Sequence, residues 1–118
     1  MTLSTTTLEL NVGESNIFEI DINTDLDTQD EVWFTAKYAR ADVTPVIQKT
    51  RSGGGIVDLS PGAGICQVKI LPAECDDLVG RALVYDAKVK KVDQDPDLIK
   101  TVAKGVIILI HPVNQTAS

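Results

Sequence analysis

The chain has 118 residues, 43% of them hydrophobic and 24% charged, which suits one compact domain and excludes wholesale disorder, a collagen-like repeat and a disulfide-dense miniprotein. Its formal charge of −6 is unevenly placed: the first basic residue is Lys37, and the eight acids Glu9, Glu14, Glu19, Asp21, Asp25, Asp27, Asp30 and Glu31 precede it. There is no basic stripe to neutralise nucleic-acid phosphates or anionic lipid, no apolar run of the ~20 residues that span a bilayer, and no signal-peptide pattern in residues 1–16, so no nucleic acid, membrane or export is expected.

Ile, Val and Thr make up 35 of the residues and Phe, Trp and Tyr only five, a palette that favours strands. Residues 1–7 are Thr- and Ser-rich without pattern and predict a flexible arm; residues 115–118 predict a flexible tail, leaving one domain over 8–114. Leu8, Leu10 and Val12 alternate with polar residues up to Gly13, and Phe18, Ile20 and Ile22 alternate with Glu19 and Asp21. Glu31–Tyr38 sets Val32, Phe34, Ala36 and Tyr38 on one face and Trp33, Thr35 and Lys37 on the other, so Trp33 is either buried at a sandwich edge or under a loop, or an anchor in a protein interface. Val46–Lys49 and Ile56–Leu59 flank the Gly53-Gly54-Gly55 turn and predict a hairpin.

Ile65–Ile70 alternates again, and Pro72–Leu78 is the one helical piece, with proline at its first position and acids in its opening turns. Arg81–Val92 predicts a long strand with Leu83, Tyr85, Ala87 and Val89 inward and Asp86, Lys88 and Lys90 toward water. Leu98–Val102 and Val106–Ile110 complete the set. The last run is apolar on both faces, with Val106, Ile108 and Ile110 on one side and Ile107 and Leu109 on the other. One side must face the core, and the other is expected against a neighbouring subunit. The sum is an all-β fold: an immunoglobulin-like antiparallel β-sandwich of about seven to eight strands with one short helical turn.

Chemical motifs fail at obligatory positions. Cys66 and Cys75 have no zinc-ligand spacing and only His111 to join them, so two reduced thiols are expected. Asp21–Asp25 opens like a calcium loop but has Leu26 where glycine and Val32 where glutamate belong, and Asp93–Asp97 is a second Asp-rich turn. Ser52–Gly55 lacks the lysine of a phosphate loop. No catalytic residue, metal or cofactor is expected. The acidic stretch, including Glu14, Asp25 and Asp27, is either a solvated surface or a patch that docks on a basic partner.

A further signal lies in the order of local features: Gly13-Glu14 before a buried strand, Trp33-Phe34-Thr35-Ala36-Lys37, Gln48-Lys49, a glycine turn into Gly55-Ile56-Val57, an acidic turn ending at Leu78, Leu83-Val84-Tyr85-Asp86, and Thr101–Ile107. From Asn16 to Val113 this order resembles the small β-sandwich domains of tailed-phage structural proteins, best known as the N-terminal domain of the upper baseplate protein. The resemblance implies a non-enzymatic virion component of baseplate, tail, neck or capsid surface, assembled in the host cytoplasm. Its partners would be other virion proteins and copies of itself, with no small-molecule substrate. The candidate interface residues are then Trp33, Ile107, Leu109, Glu14, Asp25 and Asp27. An alternative is an immunoglobulin-like carbohydrate-binding or adhesin module, which needs export and a cluster of exposed aromatics.

Overall fold

A computed structural model of the chain describes residues 4–22, 26–27, 29–92 and 98–112. Burial follows the alternation of the sequence: in β2 (Asn16–Asp21), β3 (Glu31–Lys37), β6 (Ile65–Ile70) and β7 (Ala82–Lys91) every second residue is buried. The period-two pleat sends those side chains to one face, where they meet the opposing sheet. With β1 (Ser4–Asn11), β4 (Ile47–Thr50), β5 (Ile56–Ser60) and β8 (Leu98–Ile110), they form two sheets of order β1-β8-β7-β3-β4 and β2-β6-β5. This is the strand partition of an immunoglobulin sandwich, with the first strand moved onto the sheet of the last.

That move makes the one parallel pair among the described strands: β1 runs beside β8 from Ser4↔Ala103 to Asn11↔Ile110, while all other pairs are antiparallel. The arm expected over residues 1–7 is therefore strand from Ser4 onward, and the tail expected over 115–118 lies outside the described residues. The hairpin expected around Gly53-Gly54-Gly55 does not form. β4 pairs with β3 and β5 pairs with β6, so this turn carries the chain from one sheet to the other. Gly54, at φ +86°, supplies the left-handed bend, and its N–H donates to the carbonyl of Arg51 at 3.2 Å. The only described α-helix, α1 (Pro72–Cys75), is one turn long and opens with Leu71 N–H donating to Glu74 Oε1 at 2.8 Å.

An aromatic row runs through the core. Phe18 of β2, Phe34 of β3 and Tyr85 of β7 stand in a row, with ring centroids 6.1 Å and 5.5 Å apart. Cys66 and Cys75 are free and buried. Gly105 of β8 lies directly opposite Tyr85, so no side chain there competes with the aromatic ring.

β8 is one strand of 13 residues, not the two shorter ones expected. The division visible in the sequence is a bulge. Ala87 pairs with Ala103 but Lys88 pairs with Thr101, which leaves Val102 without a register partner and 1% exposed. An extra residue in one strand reverses the inward–outward alternation on either side of it, so Ile99 points out before the bulge and Ile107 points in after it.

Candidate interface on the five-stranded sheet

Each position on the outer face of the five-stranded sheet follows from the ladder register. Across it, Thr50, Trp33 and Lys88 form one row; Gln48, Thr35, Asp86 and Lys104 the next; Lys37, Val84 and Val106 the third; Ala82, Ile108 and Glu9 the fourth. The half of this face nearer β4 holds a groove of about 350 Å³ lined by Trp33, Thr35, Lys37, Arg40, Asp86 and Lys88. The half nearer β1 is apolar: Val106, Ile108 and Ile110 are 37%, 37% and 39% exposed, beside half-buried Val84 and Ala82.

The parity of β8 corrects one expectation. Ile107 and Leu109 are 0% and 5% exposed, because Ile107 sits opposite fully buried Leu83 and both belong to the sandwich core. The apolar side left open is Val106, Ile108 and Ile110. Lys104 shares their parity, and a lysine two residues before the run is the mark in the sequence that this side faces water. The other expected residues are not gathered into one patch. Trp33 is half-buried on the outer face, Glu14 is exposed in the turn after β1, Asp27 lies in the connection before β3, and Asp25 is outside the described residues.

Asp27 and its neighbours belong to a polar network that closes one end of the sandwich. Asp30 Oδ2 accepts from Lys91 Nζ at 2.8 Å and from Asp27 N–H at 2.9 Å, while Oδ1 accepts from Val92 N–H at 3.1 Å. Burial pushes the Asp30 carboxyl up, but the Lys91 hydrogen bond, these two N–H donors and the Lys91 charge together hold it below its ordinary value. Arg51 donates from Nη1 to the carbonyls of Asp27 and Asp30 at 2.7 and 2.8 Å, and grips Asp58 through Nε and Nη2 at 2.9 and 2.8 Å. Glu31 accepts from the Ser52 hydroxyl and from the N–H groups of Ser52 and Val32. These groups spend their hydrogen-bonding capacity on one another and so tie three loops together.

No nucleophile–base pair emerges from the remaining reactive groups described. Burial first, and the Asp58 charge second, push the Cys66 thiol up to about 11, where thiolate is scarce at neutral pH. Cys75 Sγ is buried under the turn after β1, 3.4 Å from the Glu14 carbonyl, beside an Asn16 amide that bonds Asn11 and Glu14. His111 Nε2 lies 2.7 Å from the Gly80 carbonyl. Among the described residues no group of three or more His, Cys, Asp or Glu is placed to hold a metal ion, and no helix is long and apolar enough to cross a membrane. The Asp93–Asp97 turn, and Asn23, Thr24 and Asp25 of the Asp21–Asp25 segment, fall outside them. No protein-family model matches the chain, and no match was found among curated proteins.

Proposed function

We propose that the protein is a non-enzymatic assembly component that acts through protein–protein contacts, and that its assembly is a tailed-phage virion. The observation that carries the first part is the row Val106, Ile108 and Ile110 with Val84 beside it: a contiguous apolar strip on the outer face of the five-stranded sheet. Single exposed apolar residues are common on soluble proteins, whereas a contiguous strip rimmed by charge is the composition of a contact surface. The setting is supported by the resemblance that runs from Trp33-Phe34-Thr35-Ala36-Lys37 through Tyr85-Asp86 to Gly105-Val106-Ile107.

Gold-labelled antibody against the protein, applied to particles purified from a host lysate, tests the setting. The expected result is label at one fixed position on the particle. Unlabelled particles, with all of the protein left in the soluble fraction, refute it.

A further inference from the structure

We propose that two copies of this chain pack face to face through the five-stranded sheet, about a two-fold axis that runs parallel to the strands and passes between β7 and β8. This rests on the assembly reading above and specifies its partner. The argument is one of complementarity. Rotation about such an axis lays β8 of one copy over β7 of the other at the same height along the strands. Residues that face one another across the β7–β8 ladder within a copy then also face one another between copies. The register is Asp86↔Lys104, Val84↔Val106 and Ala82↔Ile108. Lys104 of each copy therefore meets the partner's Asp86, Val106 meets the partner's Val84, and Ile108 meets the partner's Ala82.

One strand further out, β1 falls over the partner's β3. Glu9, which stands beside Ile108, comes within side-chain reach of the partner's Lys37 and the partner's Arg40. Within one copy Asp86, Lys104, Glu9, Lys37 and Arg40 form no ion pair with any described residue, so each is available to the second copy. An axis perpendicular to the strands, centred on Val106 and Ile108, would instead set Lys104 on the partner's Ile110 and leave Asp86 unmatched. The parallel axis matches apolar to apolar and acid to base in one step, and yields the aligned sheet-on-sheet packing that sandwiches themselves use.

Four strands at ~4.8 Å and four rows at ~6.7 Å give a face of roughly 500 Å² per copy. Both copies together bury about 1,000 Å², the lower bound for a specific interface, so the dimer is weak in free solution and reinforced within an assembly.

Analytical ultracentrifugation of the purified protein up to about 0.5 mM tests this, with Lys104→Glu and Asp86→Lys as separate variants. Each single variant places like charges against one another at two symmetric points, and should weaken dimerisation about ten-fold or more. A one-to-one mixture should restore it, because in the mixed dimer both points are again opposite in sign, while the neighbours within each chain are unchanged by mixing. Circular dichroism should be the same for all three proteins. A wild type that stays monomeric throughout, or a mixture no better than its parents, overturns the proposal. A monomeric wild type together with labelled particles would refute the two-fold contact and leave the virion reading standing. Restored dimers with unlabelled particles would do the reverse.

Discussion

Replacing Lys91 with methionine should cost about 3 kcal/mol at pH 7. The ammonium sits 2.8 Å from Asp30, with side chains 7% and 0% exposed. Methionine keeps the aliphatic bulk and removes the charge, which leaves a carboxylate with no cation in a site closed to water. Removing one partner of a buried pair costs ~3–5 kcal/mol. The N–H groups of Asp27 and Val92 still reach Asp30, which places the expectation at the low end of that range. Against a total stability of ~5–15 kcal/mol and a urea slope of ~1–2 kcal/mol per molar, the midpoint should fall by roughly 2 M.

The effect should also depend on pH in a defined direction. In the wild type the Asp30 carboxyl is held below its ordinary value of 3.8, so its contribution is complete above that value and is lost as pH falls through the lower folded one. Without Lys91, burial is opposed only by the N–H groups of Asp27 and Val92, so the folded carboxyl titrates higher than in the wild type. The variant therefore loses less stability than the wild type on acidification, and the gap between them narrows as pH falls from 7 toward 4. Urea titrations followed by Trp33 fluorescence measure both quantities. A loss below 1 kcal/mol at neutral pH, or a gap constant across this range, would refute the account of this ion pair.

Two further outcomes follow from burial. Ile107→Ala should lower stability by ~2–5 kcal/mol and Ile108→Ala by less than about 1 kcal/mol in the monomer, measured by urea denaturation, because only the first empties space in the core; equal losses would contradict the strand parity. Cys66, with its thiol pushed up to about 11 by burial and Asp58, should resist iodoacetamide at pH 7.5 in the native protein and react once urea unfolds it; fast native labelling at Cys66, located by mass spectrometry, would show that the site opens.

Much of this architecture was legible because alternation survives in the sequence. Phe18, Ile20, Phe34, Ala36, Leu83, Tyr85, Ala87 and Val89 all lie on the faces that the period of two assigns, and all are buried. What failed to show was pairing over distance. The Gly53-Gly54-Gly55 turn has the local composition of a hairpin, and nothing in it reports that β4 and β5 answer to different sheets. Local turn chemistry fixes a change of direction, whereas the partner of each strand is chosen by burial against distant residues. The face of β8 was ambiguous for the same reason: Val106 to Ile110 is apolar at every position, so the period of two carries no contrast there. Lys104, two residues before the run, is the one contrast that marks the open side, and it lies outside the apolar run itself.

The parallel ladder between β1 and β8 has a consequence for how the molecule is made. Ser4 pairs with Ala103 and Asn11 with Ile110, so β1, synthesised first of these eight strands, docks on β8, synthesised last of them. At ~5–20 residues per second, β1 waits on the order of 5–20 s before its neighbour exists. Throughout that interval Leu8 and Leu10 have no ladder to join, and the sandwich can close only after synthesis has passed Ile110. Closure of the sandwich is therefore a late event, and a chaperone that shields Leu8 and Leu10 until β8 emerges would act at the step where the nascent chain is most exposed to misassembly.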